Sequence, residues 1–310
     1  MTDASNPASH AASSPVEPAA RAASARPTDT VITVVEPEAR APLGRLREWL
    51  SAERLTVRMV RPEAGDPLPA FEDLGDGLVV LGGPMNAHAV AAHPWIPELG
   101  ELLRRVVAED FPAVAICLGA QIAAEALGGA TAAPSPYGTE RGVVELELTE
   151  AAATDPLFSE IVDESVRAAV RAGVSTQDGT RLPVLVSHDD GVVRLPETAT
   201  LLASSAKAPV QAWRMGKLLA LQHHPESTPA RVEFVESRVT ARALGLDADD
   251  ETLMSLTDAD LPAEAVAAGQ RVRAEAERVE PVVQAFGRAL AHTLARQAHA
   301  HRVSAANGGE

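Results

Sequence analysis

"PAVAICLGAQIAAEALGG" (residues 112–129) decides how this sequence is read. Ala113, Val114, Ala115 and Ile116 form a short continuous apolar run, the pattern of a strand buried on both faces. A helix-like stretch begins just after Cys117, the only cysteine in the chain. The thiol therefore stands where a buried strand turns into a helix. So sharp a turn needs small neighbours, and Ala115 and Gly119 supply them two places to either side. This is the logic of a nucleophile elbow, whose usual pattern has glycine at both places. The helix N-terminus behind the sulfur favours thiolate. The Leu118 amide points into the same space and is a candidate oxyanion donor.

Working outward, "TVITVVEP" (30–37), "LTVRMVRP" (55–62) and "DGLVVLGGP" (76–84) read as strands. "LGRLREWLSAE" (43–53) and "PELGELLRRVVAED" (97–110) carry apolar residues at helical spacing. Their alternation predicts an α/β fold, a parallel sheet with helices on both faces. Beyond Gly129 the texture changes to strands joined by short turns, at 141–149, 181–188, 200–206, 209–215 and 217–225, with Gly216 turning a hairpin. Thr228 and Pro229 can open a helix as N-cap and first-turn residue. From about Glu236 the pattern is helical and charged. Val272, Val279, Val283, Phe286, Leu290 and Leu294 mark one amphipathic face, expected to break or start at Pro281. That face can pack on the main domain or on a partner, and the sequence leaves both open. The expected organisation is a disordered tail over 1–28, a main domain over 29–235, a helical extension over 236–303 and a second tail over 304–310.

Composition excludes whole classes of function. The net charge of −16 argues against a nucleic-acid-binding surface. No run approaches the ~20 apolar residues of a membrane span. A single cysteine permits no intramolecular disulfide and fits a reducing cytoplasm. His88 and His93 lack convincing ligand spacing, so neither a metal nor any other cofactor is expected.

A thiol nucleophile needs a base, and the base an orienting partner. "LQHHPES" (221–227) offers both. Residues two apart in an extended segment share a face. His224 and Glu226 then point the same way, with Pro225 stiffening the link, while His223 faces the other side. Singly, each feature has a plain reading: a lone cysteine is a small buried hydrophobe, and Gly-Gly-Pro after a strand is a turn. It is the joint occurrence of all of them at strand ends that points to chemistry, because ligands of parallel α/β sheets bind there.

The segments "VVLGGPMN" (79–86), "AICLGAQ" (115–121) and "LALQHHPES" (219–227) resemble the three signature segments of class I, triad-type glutamine amidotransferases. The closest resemblance is to the glutaminase domain of GMP synthetase and its stand-alone relatives, over about residues 30–235. It implies a flavodoxin-like three-layer sandwich with a mostly parallel central sheet. It also implies Cys117 as nucleophile, His224 as general base and Glu226 as its partner. Gly83 and Leu118 would form the oxyanion hole. Gln121 would bind substrate, with His188 and Asp190 in "SHDD" (187–190) as further candidates. The substrate would be glutamine or another γ-glutamyl amide. Ala115, His223 and Asp189 depart from the family's usual Gly, Phe and Gly. Neither a Walker-type loop nor the Ser-Gly-Gly-x-Asp-Ser loop of a fused synthetase is present. The expected role is thus a glutaminase serving a separate ammonia-accepting synthetase. The alternatives are a stand-alone γ-glutamyl amide hydrolase, a non-catalytic binding protein on the same fold, and a redox-sensing thiol.

Overall fold

The computed structural model describes residues 29–307; the tail expected over 1–28 and residues 308–310 of the one expected over 304–310 lie outside them, while 304–307, expected as tail, continue the last helix. The strands are β1 (Thr30–Val35), β2 (Leu55–Val60), β3 (Gly77–Val80), β4 (Ala113–Ile116), β5 (Ala130–Ala132), β6 (Glu140–Leu148), β7 (Arg181–His188), β8 (Gly191–Arg194), β9 (Thr200–Ser204), β10 (Ala212–Met215) and β11 (Leu218–Leu221). The helices are α1 (Leu46–Ala52), α2 (Trp95–Ala108), α3 (Leu118–Ala126), α4 (Ser159–Ala172), α5 (Pro229–Ala243), α6 (Asp250–Ser255) and α7 (Ala263–Asn307).

The main sheet has nine strands in the order β2-β1-β3-β4-β11-β10-β9-β6-β7. From β2 to β11 all pairings are parallel, and from β10 onward they are antiparallel. The parallel strands read as near-continuous apolar runs because both of their faces are covered. Alternate side chains divide between two cores. Ile32, Val34, Val79, Val114, Ile116, Leu219 and Leu221 join the cluster that includes Trp49 of α1, Ile161 of α4, and Phe286 and Leu290 of α7. Val35, Leu78, Val80, Ala113, Ala115 and Ala220 join Leu99, Leu103 and Ile122, from α2 and α3. The result is a three-layer sandwich of the flavodoxin-like kind, its sheet mixed with mostly parallel central strands.

The C-terminal face left open by the sequence packs on the main sheet. Val283, Phe286, Leu290 and Leu294 are buried in the core, and Val272 and Val279 are partly buried around Leu185. Phe286 meets Phe158 edge-on at 5.8 Å. Toward the far end of α7, Thr30 Oγ1 lies 2.9 Å from His299 Nδ1, so the helix reaches across to β1. The break expected at Pro281 does not occur: the residue lies inside α7. Pro281 and Glu277, whose carbonyl loses its helical partner, are both exposed, so water can satisfy the freed group. Burial of Val282 and Val283 immediately after it holds the helix on the sheet.

Other expectations meet the structure directly. Gly216, at φ 58°, turns the β10–β11 hairpin. Thr228 caps α5, its side chain accepting from the Arg231 amide at 3.0 Å, with Pro229 as the first helical residue. Helix α4 lies in the stretch read only as strands and turns. Its buried face, Ile161, Val162, Ser165, Ala168 and Ala169, has helical spacing, and Gly173 closes it in the left-handed conformation.

Candidate active site

Parallel pairing of β4 with β11 sets the site. Ile116 is in register with Leu221, and the Cys117 amide continues the ladder, donating to the Leu221 carbonyl at 2.7 Å. The thiol thus lies beside the segment that follows β11, although more than a hundred residues separate the two. Cys117 has φ 51° and ψ −108°, a conformation an L-residue adopts at a cost of about 1–3 kcal/mol. It stands immediately before the first residue of α3 and is 7% exposed.

His224 is held by its own amide, which donates to the Leu185 carbonyl at 2.8 Å. Its Nδ1 lies 2.6 Å from Glu226 Oε1. The imidazole and the sulfur meet around Gly82: a Cβ there would lie 3.3 Å from His224 Cε1 and 3.8 Å from Cys117 Sγ. Burial by itself disfavours the imidazolium. The charges of Glu226 and Cys117 outweigh it and hold His224 well above the usual histidine range.

Gly83 packs against Leu118, since a Cβ on it would fall 3.0 Å from Leu118 Cδ2. Neither the Gly83 nor the Leu118 amide has a protein acceptor among the described residues. Gln121 is buried and borders the site, its Nε2 donating to Gln222 Oε1 at 3.3 Å. Gln222 Nε2 in turn lies 3.5 Å from Cys117 Sγ. Sequence reasoning overlooked Gln222, although the signal was its place two residues before His224.

His188 and Asp190 border the same cavity, of about 520 Å³. The His188 ring is engaged: Nδ1 donates to the Asp190 carbonyl at 3.0 Å, and Nε2 lies 3.3 Å from Glu140 Oε2. Glu140 also accepts from Ser205 at 2.7 Å and Gln211 at 2.7 Å. Burial raises its carboxyl, but the His188 and Ser205 hydrogen bonds more than reverse this and hold it below the usual range. Asp190 is pushed up by burial and by Asp189 beside it. Asp189 itself pairs with Arg141 through both oxygens, at 2.6 and 2.7 Å.

The class-I glutamine amidotransferase family model matches residues 46–236. The chain belongs to the class-I glutamine amidotransferase family. It is 31% identical over 194 residues to the glutamine amidotransferase-like protein YfeJ of Salmonella typhimurium, covering 61% of this chain and 73% of that one. It is also 31% identical over 153 residues to the glutamine-hydrolysing GMP synthase of Teredinibacter turnerae, covering 49% of this chain and only 25% of the synthase. A glutamine amidotransferase structure from Methylobacillus flagellatus superposes with a TM-score of 0.60 at 21% identity, over 87% of this chain and 96% of that one. One from Thermotoga maritima gives 0.56 at 19% identity, over 82% and 98%. At those identities the superpositions speak for the fold alone.

Against the amidotransferase pattern, His223 is the departure with a physical consequence. It is fully buried, edge-on to Phe286 at 5.0 Å, and neither ring nitrogen makes a well-formed hydrogen bond among the described residues. Burial, with the neighbouring His224 charge, depresses it from 6.5 to about 3. A histidine buried neutral contributes stability that is complete above the unfolded value and is lost as pH falls from there toward the folded one. The protein is therefore expected to lose about 2 kcal/mol by pH 5 from this residue alone. His223→Phe, which keeps the aromatic contact and cannot titrate, should abolish that part of the loss. Urea midpoints of both proteins at pH 7.5 and pH 5 measure it; equal acid sensitivity would refute the assignment.

Proposed function

We propose that this amidotransferase hydrolyses the side-chain amide of glutamine or of a substituted γ-glutamyl amide, through a thioester on Cys117. One observation carries the reading: β4–β11 register sets the sulfur beside a His224–Glu226 pair on the wall of a cavity that Gly83 also lines, with the Leu118 amide, like that of Gly83, lacking a partner among the described residues. The Cys117 thiolate attacks the amide carbon, and the oxyanion develops toward the Gly83 and Leu118 amides, worth about 3 kcal/mol each. His224, cationic at neutral pH, gives its proton to the departing amine as the C–N bond breaks. It then takes a proton from water, whose oxygen adds to the thioester carbon. Glutamate leaves and the thiolate–imidazolium pair is restored. Glu226 holds the ring in orientation throughout and offsets its charge. Gln121 and Gln222 position the thiol side of the substrate, and His188 and Asp190 border its amino-acid end.

A second reading follows from the GMP synthase relatives: the chain supplies ammonia to a separate synthetase. Glutamate release from glutamine and from a panel of γ-glutamyl amides, by the purified chain alone, tests both. Turnover without a partner supports autonomous hydrolysis. Silence that ends when a synthetase is added supports the subunit role. If a glutamine-analogue electrophile fails to add mass to Cys117, both fall and a non-catalytic binding role takes their place.

A further inference from the structure

Behind the cavity wall lies a polar network that the proposed chemistry does not use. Glu140 opens β6 and is the register partner of His188, the last residue of β7. Its carboxylate is enclosed by donors. Oε1 accepts from the Lys207 amide at 3.2 Å, and Oε2 accepts from Gln211 Nε2 at 2.7 Å and faces His188 Nε2 at 3.3 Å. The Ser205 hydroxyl lies within 2.9 Å of both oxygens. Glu140, His188, Ser205 and Gln211 are all buried. A side-chain amide in place of the carboxylate would turn its own NH2 toward either the Lys207 amide or Gln211 Nε2, so only a group that accepts through both oxygens fits. Well-packed apolar side chains usually match the stability of a buried ionic group, so stability alone does not account for this one.

Its place relative to the cavity does. Residues 187–190 line the cavity, whereas among the described residues Glu140, Ser205 and Gln211 do not. His188 passes the constraint forward, because its Nδ1 donates to the Asp190 carbonyl at 3.0 Å and closes the turn between β7 and β8. Asp189 is anchored separately, by Arg141 and Thr139 on its side chain and by the Ser135 amide on its carbonyl. Glu140 is therefore the buried anchor of the wall at His188 and Asp190.

We propose that Glu140 is a positioning residue, which does not meet the substrate but fixes the turn at residues 188–190 against which the substrate's amino-acid end is held. This rests on the hydrolase reading above, in which His188 and Asp190 border that end. Loss of the carboxylate then weakens substrate binding and leaves the thiol as reactive as before.

Two electrophiles separate the wall from the thiol. Diazo-oxonorleucine, the diazoketone analogue of glutamine, carries the amino-acid end; iodoacetamide alkylates Cys117 without one. In Glu140→Gln the expected KM for glutamine, or for any γ-glutamyl amide turned over, rises roughly ten- to a hundredfold with kcat little changed. Alkylation by diazo-oxonorleucine should slow by the same factor, and alkylation by iodoacetamide should stay within about twofold of wild type. Ser205→Ala, which leaves the carboxylate in place, should give a smaller shift in the same sense, and it carries the test if Glu140→Gln does not fold. Equal slowing with both electrophiles would overturn the proposal: it would place the effect on the thiol through Gln211, whose carbonyl accepts from the Gln222 amide at 2.8 Å. So would a lower unfolding temperature with KM and both alkylation rates unchanged, the mark of a purely structural network. Selective slowing with diazo-oxonorleucine in a protein whose wild type releases no glutamate would sink the hydrolase reading and leave the positioning role standing. Glutamate release with KM unchanged in both variants would do the reverse. A wild type inert to diazo-oxonorleucine, with no calorimetric binding of glutamine to Cys117→Ala, would overturn both.

Discussion

Cys117→Ala is expected to slow glutamate release from every γ-glutamyl amide by at least ~10⁴-fold, with KM little changed. No other cysteine exists to take over the attack, and water alone gains little from a base and oxyanion donors arranged around a sulfur. The fold should be unaffected. The substitution removes one buried atom, while the backbone strain at φ 51° remains with either side chain. Near-identical circular dichroism and unfolding temperature, with activity gone, is the predicted pattern. Residual activity within tenfold of wild type would place the nucleophile elsewhere and undo the proposed mechanism.

Gly119→Val is expected to damage both stability and rate. A Cβ at Gly119 would lie 2.7 Å from the Val80 carbonyl oxygen and 2.8 Å from Val80 Cγ1. The first of these is backbone in β3, so the clash cannot be relieved by a rotamer change. Helix α3 must instead move off the sheet, at a cost of about 1–3 kcal/mol, or a fall of roughly 5 °C in unfolding temperature. The same shift carries the Leu118 amide and the thiol with it. Misplacement by about 1 Å costs on the order of 10² in rate. Gly119→Ala should show a milder version of both effects. If Gly119→Ala matches wild type in thermal unfolding and in kcat, the helix is not seated as tightly as the 2.7 Å approach to Val80 requires.

The parallel core was legible because strands buried on both faces leave continuous apolar runs, and β1, β2, β3, β4 and β11 fall within the stretches read as strands. The proximity of Cys117 to His224 was legible only in part. Two-residue spacing gave the shared face of His224 and Glu226, but their meeting with the thiol depends on β4–β11 pairing, a long-range register. Four features were hidden. Helix α4 had a clear apolar period but sat among strand-like segments. The β5–β8 ribbon has a three-residue strand of partly buried Ala and Thr, too short to show alternation. The course of α7 was misread at Pro281, since a proline's local penalty says nothing of the sheet contacts that override it. The Glu140–His188–Gln211 network was invisible for a related reason. Its members come from β6, β7 and the bend before β10, and no local pattern links them.

The reach of α7 across the sheet bears on how the chain is made. Val114 and Leu219 lie beside Leu290 and Leu294, so the part of that sheet face not packed by α1 and α4 has no cover until residues near 295 have been synthesised. At about 5–20 residues per second, several seconds pass between completion of the family-matched segment at residue 236 and arrival of that cover. During this interval the nascent chain presents a sticky aliphatic surface on the ribosome, where holdase chaperones would be needed.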